Sequence, residues 1–363
     1  MLADGIIEPS TSAWSSPVVV VPKRDTGELR FCVDMRRINE VTRTVRYPLG
    51  HIQDILDRVA PPAGQTRYYS SLDLKSGFWQ VPMADEASKD RVSFHTATSQ
   101  WRYKVMPMGL KNSPAVFAEL MRRVLAPVLP GSVPVGGDKG THQAEACAMV
   151  YLDDILIFSP DIISHIQHLQ LVFDLLRLAS LKAAIKKCEF GQQRIQFLGH
   201  VLDGINGTVA PSPRNVAVIA AYPSPRNVRQ VRALLGTVGY YRSFVPGFSL
   251  IARPLFDLLK KDAPWAWGPS QEQAFQTLKG ALTSEPILRA PDFDRHFYVQ
   301  TDFCQSAVAA CLAQKGADGK EYAVQFASKK LTPAQMCWSS AAAVVSSFVR
   351  TNDGPFLRFW TNA

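Results

Sequence analysis

Apolar and polar positions alternate with a period of two in several short runs over the first 110 residues. Residues 17–21, Val-rich, and 29–34 flank the Lys23, Arg24, Asp25, Thr26, Gly27 turn, which predicts a β-hairpin with a basic tip. Further strands are expected over 68–72, 91–96 and 100–106. The period then changes. Phe117, Leu120, Met121, Val124, Leu125 and Val128 recur at helical spacing, so 112–129 is read as a helix. A strand pair is expected over 148–158, a helix around Leu169, Val172, Phe173 and Leu176, and a strand or hairpin over 195–202. From residue 211 onward the stripes are helical, with Val228, Val231, Leu234, Leu235 and Val238 on one and Ile251, Leu255, Leu258 and Leu259 on another. Strands return after Pro291 (297–301, 307–313 and 322–327), followed by a helical stretch near 334–350. This order predicts an α+β domain, a helical connector and the start of a second, α/β domain. One stretch fits no period: 131–146 is Gly-rich and polar, and it interrupts a helix-to-strand passage.

Composition adds bounds more than identity. A chain of 363 residues is too long for one ordinary core, so two or three domains are expected. Hydrophobic content of 47% with 20% charged residues is that of a globular protein. Forty Lys and Arg against 31 Asp and Glu leave a net charge of +9, which suits a polyanionic partner without selecting one. The six cysteines (Cys32, Cys147, Cys188, Cys304, Cys311, Cys337) form no CxxC pair. They read as reduced core thiols of an intracellular protein, with neither a zinc site nor a disulfide framework. The first residues lack the apolar run of a secretory signal, and no run reaches the roughly 18 residues of a membrane span, so no membrane partner is expected.

Candidate chemistry concentrates at Tyr151-Leu152-Asp153-Asp154, set between the apolar runs Ala148-Met149-Val150 and Ile155-Leu156-Ile157-Phe158. An ordinary hairpin turn would favour Asn-Gly or Asp-Gly, which tolerate positive φ. Two adjacent carboxylates repel each other unless a cation lies between them, and magnesium prefers carboxylate oxygen. A third carboxylate, Asp73, ends the strand expected over 68–72. Three acids on neighbouring strands can hold two metal ions about 3.5–4 Å apart, the clamp used in phosphoryl transfer.

Three motifs in fixed order carry a resemblance. They are Ser71-Leu72-Asp73-Leu74-Lys75-Ser76-Gly77, then Val105-Met106-Pro107-Met108-Gly109-Leu110-Lys111-Asn112-Ser113-Pro114-Ala115-Val116-Phe117, then Tyr151-Leu152-Asp153-Asp154-Ile155-Leu156-Ile157-Phe158-Ser159. The chain resembles the reverse transcriptases of gypsy-type LTR retrotransposon Pol polyproteins. Arg30-Phe31-Cys32-Val33-Asp34, Lys186-Lys187-Cys188-Glu189-Phe190, Phe197-Leu198-Gly199-His200, Tyr240-Tyr241-Arg242-Ser243-Phe244 and Trp265-Ala266-Trp267 extend the likeness over nearly the whole chain.

The resemblance implies a right-hand polymerase fold. Fingers and palm would occupy 1–202, with an insert at 131–146. A helical thumb and connection would fill 203–290, and a truncated ribonuclease H-like α/β domain 291–363. It also implies RNA-directed DNA polymerase activity, with two magnesium ions (or manganese) held by Asp73, Asp153 and Asp154. Lys23 and Arg30 match fingers residues that close on the incoming triphosphate, and Met108 and Gly109 match the turn beneath the nascent base pair. Phe78 matches the aromatic gate against a ribose 2′-hydroxyl, a role compatible with a core aromatic. Lys187 matches an acid that protonates pyrophosphate, though it also reads as a surface lysine. Phe197, Leu198, Gly199 and His200 match a primer grip, while His200 alone reads as a structural histidine. The implied partners are an RNA or DNA template with its primer, deoxynucleoside triphosphates and other Gag or Pol products. The implied setting is intracellular: cytoplasm, virus-like particle or nucleus.

Two departures weigh against a complete enzyme. Of the four acids that ribonuclease H needs, Asp302 is present, but 337–345 contains no Glu and Asn362 replaces a carboxylate. The family passes from palm helix to YLDD strand without a stretch like 131–146. The competing expectation is a silent nucleic-acid-binding remnant of a decayed element.

Overall fold

A computed structural model describes residues 1–22, 27, 29–48, 50–62, 64–130, 146–284, 286–304, 307–316 and 318–332. Lys23, Arg24, Asp25 and Thr26, all but the last residue of 131–146, the helix expected near 334–350, Cys337 and Asn362 lie outside these residues. Two compact units form: Met1–Leu49 with Ser70–Gly191, and Gly50–Tyr69 with Gln192–Ala363. No helix among the described residues is long and apolar enough to cross a membrane.

The first unit holds two sheets. One runs in the order Ile7–Pro9, Gln100–Tyr103, Ser93–His95, Ser16–Pro22, Leu29–Val33, antiparallel except for the parallel pairing of Ser16–Pro22 with Ser93–His95. Phe94 and Tyr103 bury themselves against Met35, Ile38 and Val92 beneath it. Arg102 fastens this layer: its guanidinium donates to Glu8 (2.8 Å), Asp90 (2.7 Å) and Glu86 (2.6 Å), joining one strand to the helix Glu86–Arg91. That helix falls partly where a strand was expected over 91–96. Asp85 caps it by accepting from Ser88 N, and the strand is confined to Ser93–His95.

The second sheet runs Ala148–Tyr151, Asp154–Ser159, Tyr68–Asp73, Glu189–Gln192. The stripe expected over 112–129 packs on it as Ser113–Val124, with Phe117, Met121, Leu125 and Val128 fully buried against Leu72, Ile155 and Ile157. The α-helix stops at Val124 because Pro127, lacking an N–H, leaves only a single 3-10 turn at Ala126–Val128. Cys147 N donates to Val128 O (3.1 Å), so the chain before and after 131–146 adjoins.

A buried polar chain locks this sheet to the helix Ile162–Leu178. Gly191 N donates to Ser70 Oγ (3.0 Å), which lies 2.7 Å from His165 Nε2; His165 Nδ1 lies 2.8 Å from Ser159 Oγ, and Ser159 Oγ 2.8 Å from His168 Nδ1. One proton arrangement satisfies every member. Ser70 donates to Nε2, a neutral His165 donates from Nδ1 to Ser159, and Ser159 donates to His168. Burial, with His168 nearby, holds the His165 pKa below its usual 6.5.

The second unit has a sheet ordered Arg194–Phe197, His200–Asp203, Thr208–Pro211, Leu288–Arg289, helices including Pro213–Ala220, Val228–Gly239 and Pro269–Thr283, and a further sheet Tyr298–Cys304, Ala307–Lys315, Glu321–Lys330. The stripe expected through Ile251 and Leu259 is split into Phe248–Ile251 and Arg253–Asp257, with Pro254 opening the second helix. The three-stranded sheet is tied to these helices by Ser249 N to Ser328 Oγ (2.8 Å), Ser249 Oγ to Ser328 O (2.9 Å) and Lys330 to Asp257 (3.2 Å). Its edge strand Tyr298–Cys304 is exposed along almost its whole length. Cysteine burial therefore departs from expectation: among the described cysteines all are free, Cys147 is buried, and Cys304 lies exposed on that edge.

Phe197 and His200 pair across a two-residue turn in which Leu198 (φ +46) and Gly199 (φ +72) are both left-handed. The turn needs glycine at its second position for two reasons. Beyond φ, a Cβ on Gly199 would lie 3.0 Å from Asn215 Nδ2 and 3.1 Å from the Tyr241 hydroxyl. Tyr240 donates to Leu198 O and Tyr241 to Gly199 O, both at 2.6 Å. His200, 3% exposed, stacks on Phe244 (24° between planes) and bonds through Nδ1 to Leu198 O (2.8 Å). Burial brings its pKa down to about 4.

Both buried histidines are neutral in the folded chain and protonate more readily when it unfolds. The stability that their neutral forms contribute is therefore fully present above the ordinary histidine pKa of 6.5 and is lost as pH falls, toward about 4 for His200. Urea titrations at a pH of about 7 and about 5 should differ by about 2 kcal/mol for the His200 contribution, and His200→Phe should flatten that slope. An unfolding free energy independent of pH in this range would contradict the assignment.

Candidate active site

Asp73 ends the strand Tyr68–Asp73, and Asp154 begins the neighbouring strand Asp154–Ser159, with Asp153 in the turn just before it. Buried apolar residues hold these ends still: Leu72, Ile155, Leu156 and Ile157 are all fully buried. The turn is a two-residue hairpin turn after all, since Tyr151 and Asp154 are paired. Leu152 takes φ +55, a left-handed conformation that costs a residue with a Cβ roughly 1–2 kcal/mol. Glycine there would remove that cost, so the sequence keeps strain at the position beside its carboxylates.

The electrostatics follow from this placement. Asp153 keeps exposed surface, but the apolar strands desolvate its carboxylate, and Asp154 and Asp73 add repulsion, so its pKa is raised. Desolvation and then Asp73 raise that of Asp154 as well. Opposed to this charge, Lys187 Nζ lies 3.3 Å from Asp73. Both partners are well exposed, and such a pair contributes no more than about 1 kcal/mol, so the core and not this ion pair fixes the site.

Lys187 reaches Asp73 through backbone contacts. Lys75 N donates to Lys182 O (2.9 Å), Leu74 bridges Ala183, and Ala184 N donates to Asp73 O (2.8 Å) before the turn Ile185–Lys187. Gln80 closes this arrangement, donating to Lys75 O (2.7 Å) and Lys182 O (3.0 Å) while accepting from Lys182 N (2.7 Å). Nothing in the sequence pattern singled out Gln80, because its role depends on a segment 102 residues away.

Phe78 is half-buried, its ring edge-on to Phe117 at 5.3 Å. Gly77 makes that approach possible, since a Cβ there would stand 2.9 Å from the Phe117 ring. Met108 is exposed and precedes Gly109 (φ +91), where a Cβ would meet Met35 at 3.6 Å. Arg30 lies in the strand Leu29–Val33. Phe197, Leu198, Gly199 and His200 form the hairpin of the second unit. Asp302 sits on the exposed strand Tyr298–Cys304, paired with Ala309.

The donor set fits a hard divalent cation: oxygen only, carboxylate only, crowded and partly desolvated. Among the described residues, no three acidic, His or Cys side chains converge tightly enough to ligate a single ion as they stand. The three aspartates are close in charge, and not a closed cage.

The family described as reverse transcriptase (RNA-dependent DNA polymerase) matches residues 21–202, and that described as an RNase H-like domain found in reverse transcriptase matches 267–352. The retrovirus-related Pol polyprotein from transposon 297 of Drosophila melanogaster is 36% identical over 94% of this chain and 30% of its own length. The transposon Tf2-3 polyprotein of Schizosaccharomyces pombe is 33% identical over 93% of the chain and 24% of its own. The chain thus spans less than a third of these relatives. Among solved structures, a foamy viral protease-reverse transcriptase in complex with double-stranded DNA shares the fold, with TM-score 0.78, 23% identity, and coverage of 95% of this chain and 56% of the other. A foamy viral protease-reverse transcriptase in complex with an RNA/DNA hybrid gives TM-score 0.73 at 23% identity over 95% of this chain and 43% of the other. Sheets, carboxylates and matched segments agree: this chain belongs to the reverse transcriptase (RNA-dependent DNA polymerase) family, with an RNase H-like segment behind its polymerase segment.

Proposed function

We propose that the chain extends a DNA primer on an RNA or DNA template, using deoxynucleoside triphosphates. The observation that carries this reading is the gathering of Asp73, Asp153 and Asp154 at one end of two adjacent buried strands. Two magnesium ions, when bound by these carboxylates, would offset their repulsion and supply the charge that activates a primer 3′-hydroxyl and stabilises the departing pyrophosphate. Lys187, already beside Asp73, is suited to hand a proton to that pyrophosphate. Lys23 and Arg30 serve as triphosphate ligands. Phe78, braced by Phe117, lies under the sugar, and Met108 and Gly109 lie under the base pair. The hairpin at Phe197–His200, stiffened by Tyr240 and Tyr241, steadies the primer end.

Primer extension on an RNA template with magnesium tests this reading, and Asp153→Asn should reduce the rate by about a thousandfold or more, since it removes one ligand charge. Extension retained by that variant would sink the site, while salt-sensitive nucleic-acid binding with no extension by wild type would favour the silent remnant.

Shortening the gate should relax sugar choice. Phe78→Val is expected to lower discrimination against ribonucleotides by about a hundredfold, the scale of a lost steric contact. A wild type that incorporates both sugars equally would rule the gate out. Thermal unfolding should accompany this assay, because Phe78 also packs on Phe117.

No ribonuclease H activity is expected from this chain. Asp302 alone cannot position two ions about a scissile phosphate, and the neutral Asn362 cannot replace a carboxylate. Cleavage of an RNA–DNA hybrid that disappears in Asp302→Asn would overturn this expectation.

A further inference from the structure

The turn at Met108 and Gly109 belongs to no helix or strand, so its backbone needs other support. One side chain holds its outgoing end at two points. Asn39 Nδ2 donates to Gly109 O at 2.8 Å, and Asn39 Oδ1 accepts from Lys111 N at 2.7 Å. The two bonds bracket Leu110, on the outgoing side of the turn, and engage both ends of a planar amide, which fixes orientation as well as distance. From the other side, buried Ser113 donates to Pro107 O (3.1 Å). Gly109 itself is left-handed (φ +91), and a Cβ added there would meet Met35, which is 3% exposed, at 3.6 Å.

Asn39 lies on the helix Arg36–Val41, three residues beyond the end of strand Leu29–Val33 and so after Arg30. Two more side chains stitch the same segments together. Lys111 Nζ donates to Thr42 O (3.1 Å), and Asn112 donates to Arg43 O (2.9 Å) while accepting from Val45 N (3.1 Å). The segment that follows the Arg30 strand and the turn under the base pair are therefore held in one frame, with Asn39 closest to the turn.

We infer that Asn39 is a positioning residue for nucleotide selection: its amide holds the Met108–Gly109 turn at the height against which an incoming base pair is checked. This rests on the reading that the chain polymerises DNA. Asn39 touches no reacting atom, so its loss acts on nucleotide capture and not on bond formation.

Single-nucleotide incorporation on a primed template separates these effects. Asn39→Ala should raise KM for the correct deoxynucleotide about tenfold, leave kcat within about twofold, and narrow the preference over a mismatched one, as expected for loss of a doubly bonded group. Asn39→Asp, nearly isosteric, should do no better, because a carboxylate cannot donate to Gly109 O and faces it with like charge. Asp161→Ala is the stability-matched control: it removes the cap that accepts from Ile163 N and Ser164 N in the same unit, and should leave KM unchanged. Faster hydrogen exchange at the Lys111 amide in Asn39→Ala should accompany the KM change. KM values for both Asn39 variants that match wild type, or an equal rise in Asp161→Ala, would overturn the inference alone. A folded wild type that extends no primer would instead overturn the reading on which it rests.

Discussion

Hydrogen bonding between the strands Tyr68–Asp73 and Asp154–Ser159 is the constraint on which the site depends, because it forces three carboxylates together against their own repulsion. Repulsion alone would splay them. What resists it is the apolar layer beneath: Leu72, Ile155 and Ile157 interlock with Phe117, Met121 and Leu125, each a fully buried side chain worth about 1.5–3 kcal/mol. Against that, the strain at Leu152 and the exposed Lys187–Asp73 pair are small terms. The core can therefore carry a strained, charge-crowded turn at its edge.

Around this sheet, polar side chains do the work that backbone pairing does elsewhere. The chain of Ser70, His165 and Ser159 joins two strands to a helix inside the core, where burial favours the neutral form of His165. Gln80 and Asn39 act at the surface, each using both ends of its amide to fasten an irregular segment. Irregular segments have few backbone partners of their own, so their order has to come from side chains reaching in from regular elements.

The second unit solves a similar problem with aromatic rings. A hairpin whose turn is left-handed at both central residues is gripped by two tyrosine hydroxyls, and a histidine is buried in the cage they form with Phe244. Here Gly199 is dictated twice, by φ and by the side chains pressed against it. The tie between Ser249 and Ser328 secures the three-stranded sheet to the helices, while the strand bearing Asp302 stays exposed.

Periodicity made the palm helix and the helices after residue 211 legible, because each buries one face and burial writes a repeat into the sequence, while continuous apolar runs marked the strands on either side of Asp153 and Asp154. The adjacency of acidic residues, and their motif order, likewise marked the candidate carboxylates. Other elements left no such mark. Glu86–Arg91 is short and has no buried residue, and proline divided the stripe through Ile251 into two helices. A turn of Leu152 and Asp153 argued against a tight hairpin, yet buried strands on either side overrode that local preference. Gln80 and Asn39 were invisible for a further reason: a polar residue that clamps a segment 70 or 102 positions away has no period and no neighbouring partner in sequence. Sequence determined which segments would form strands and helices and which acids were available. Only the tertiary structure decided which distant backbones meet, because those contacts follow from the packing of whole elements and not from the pattern within any one of them.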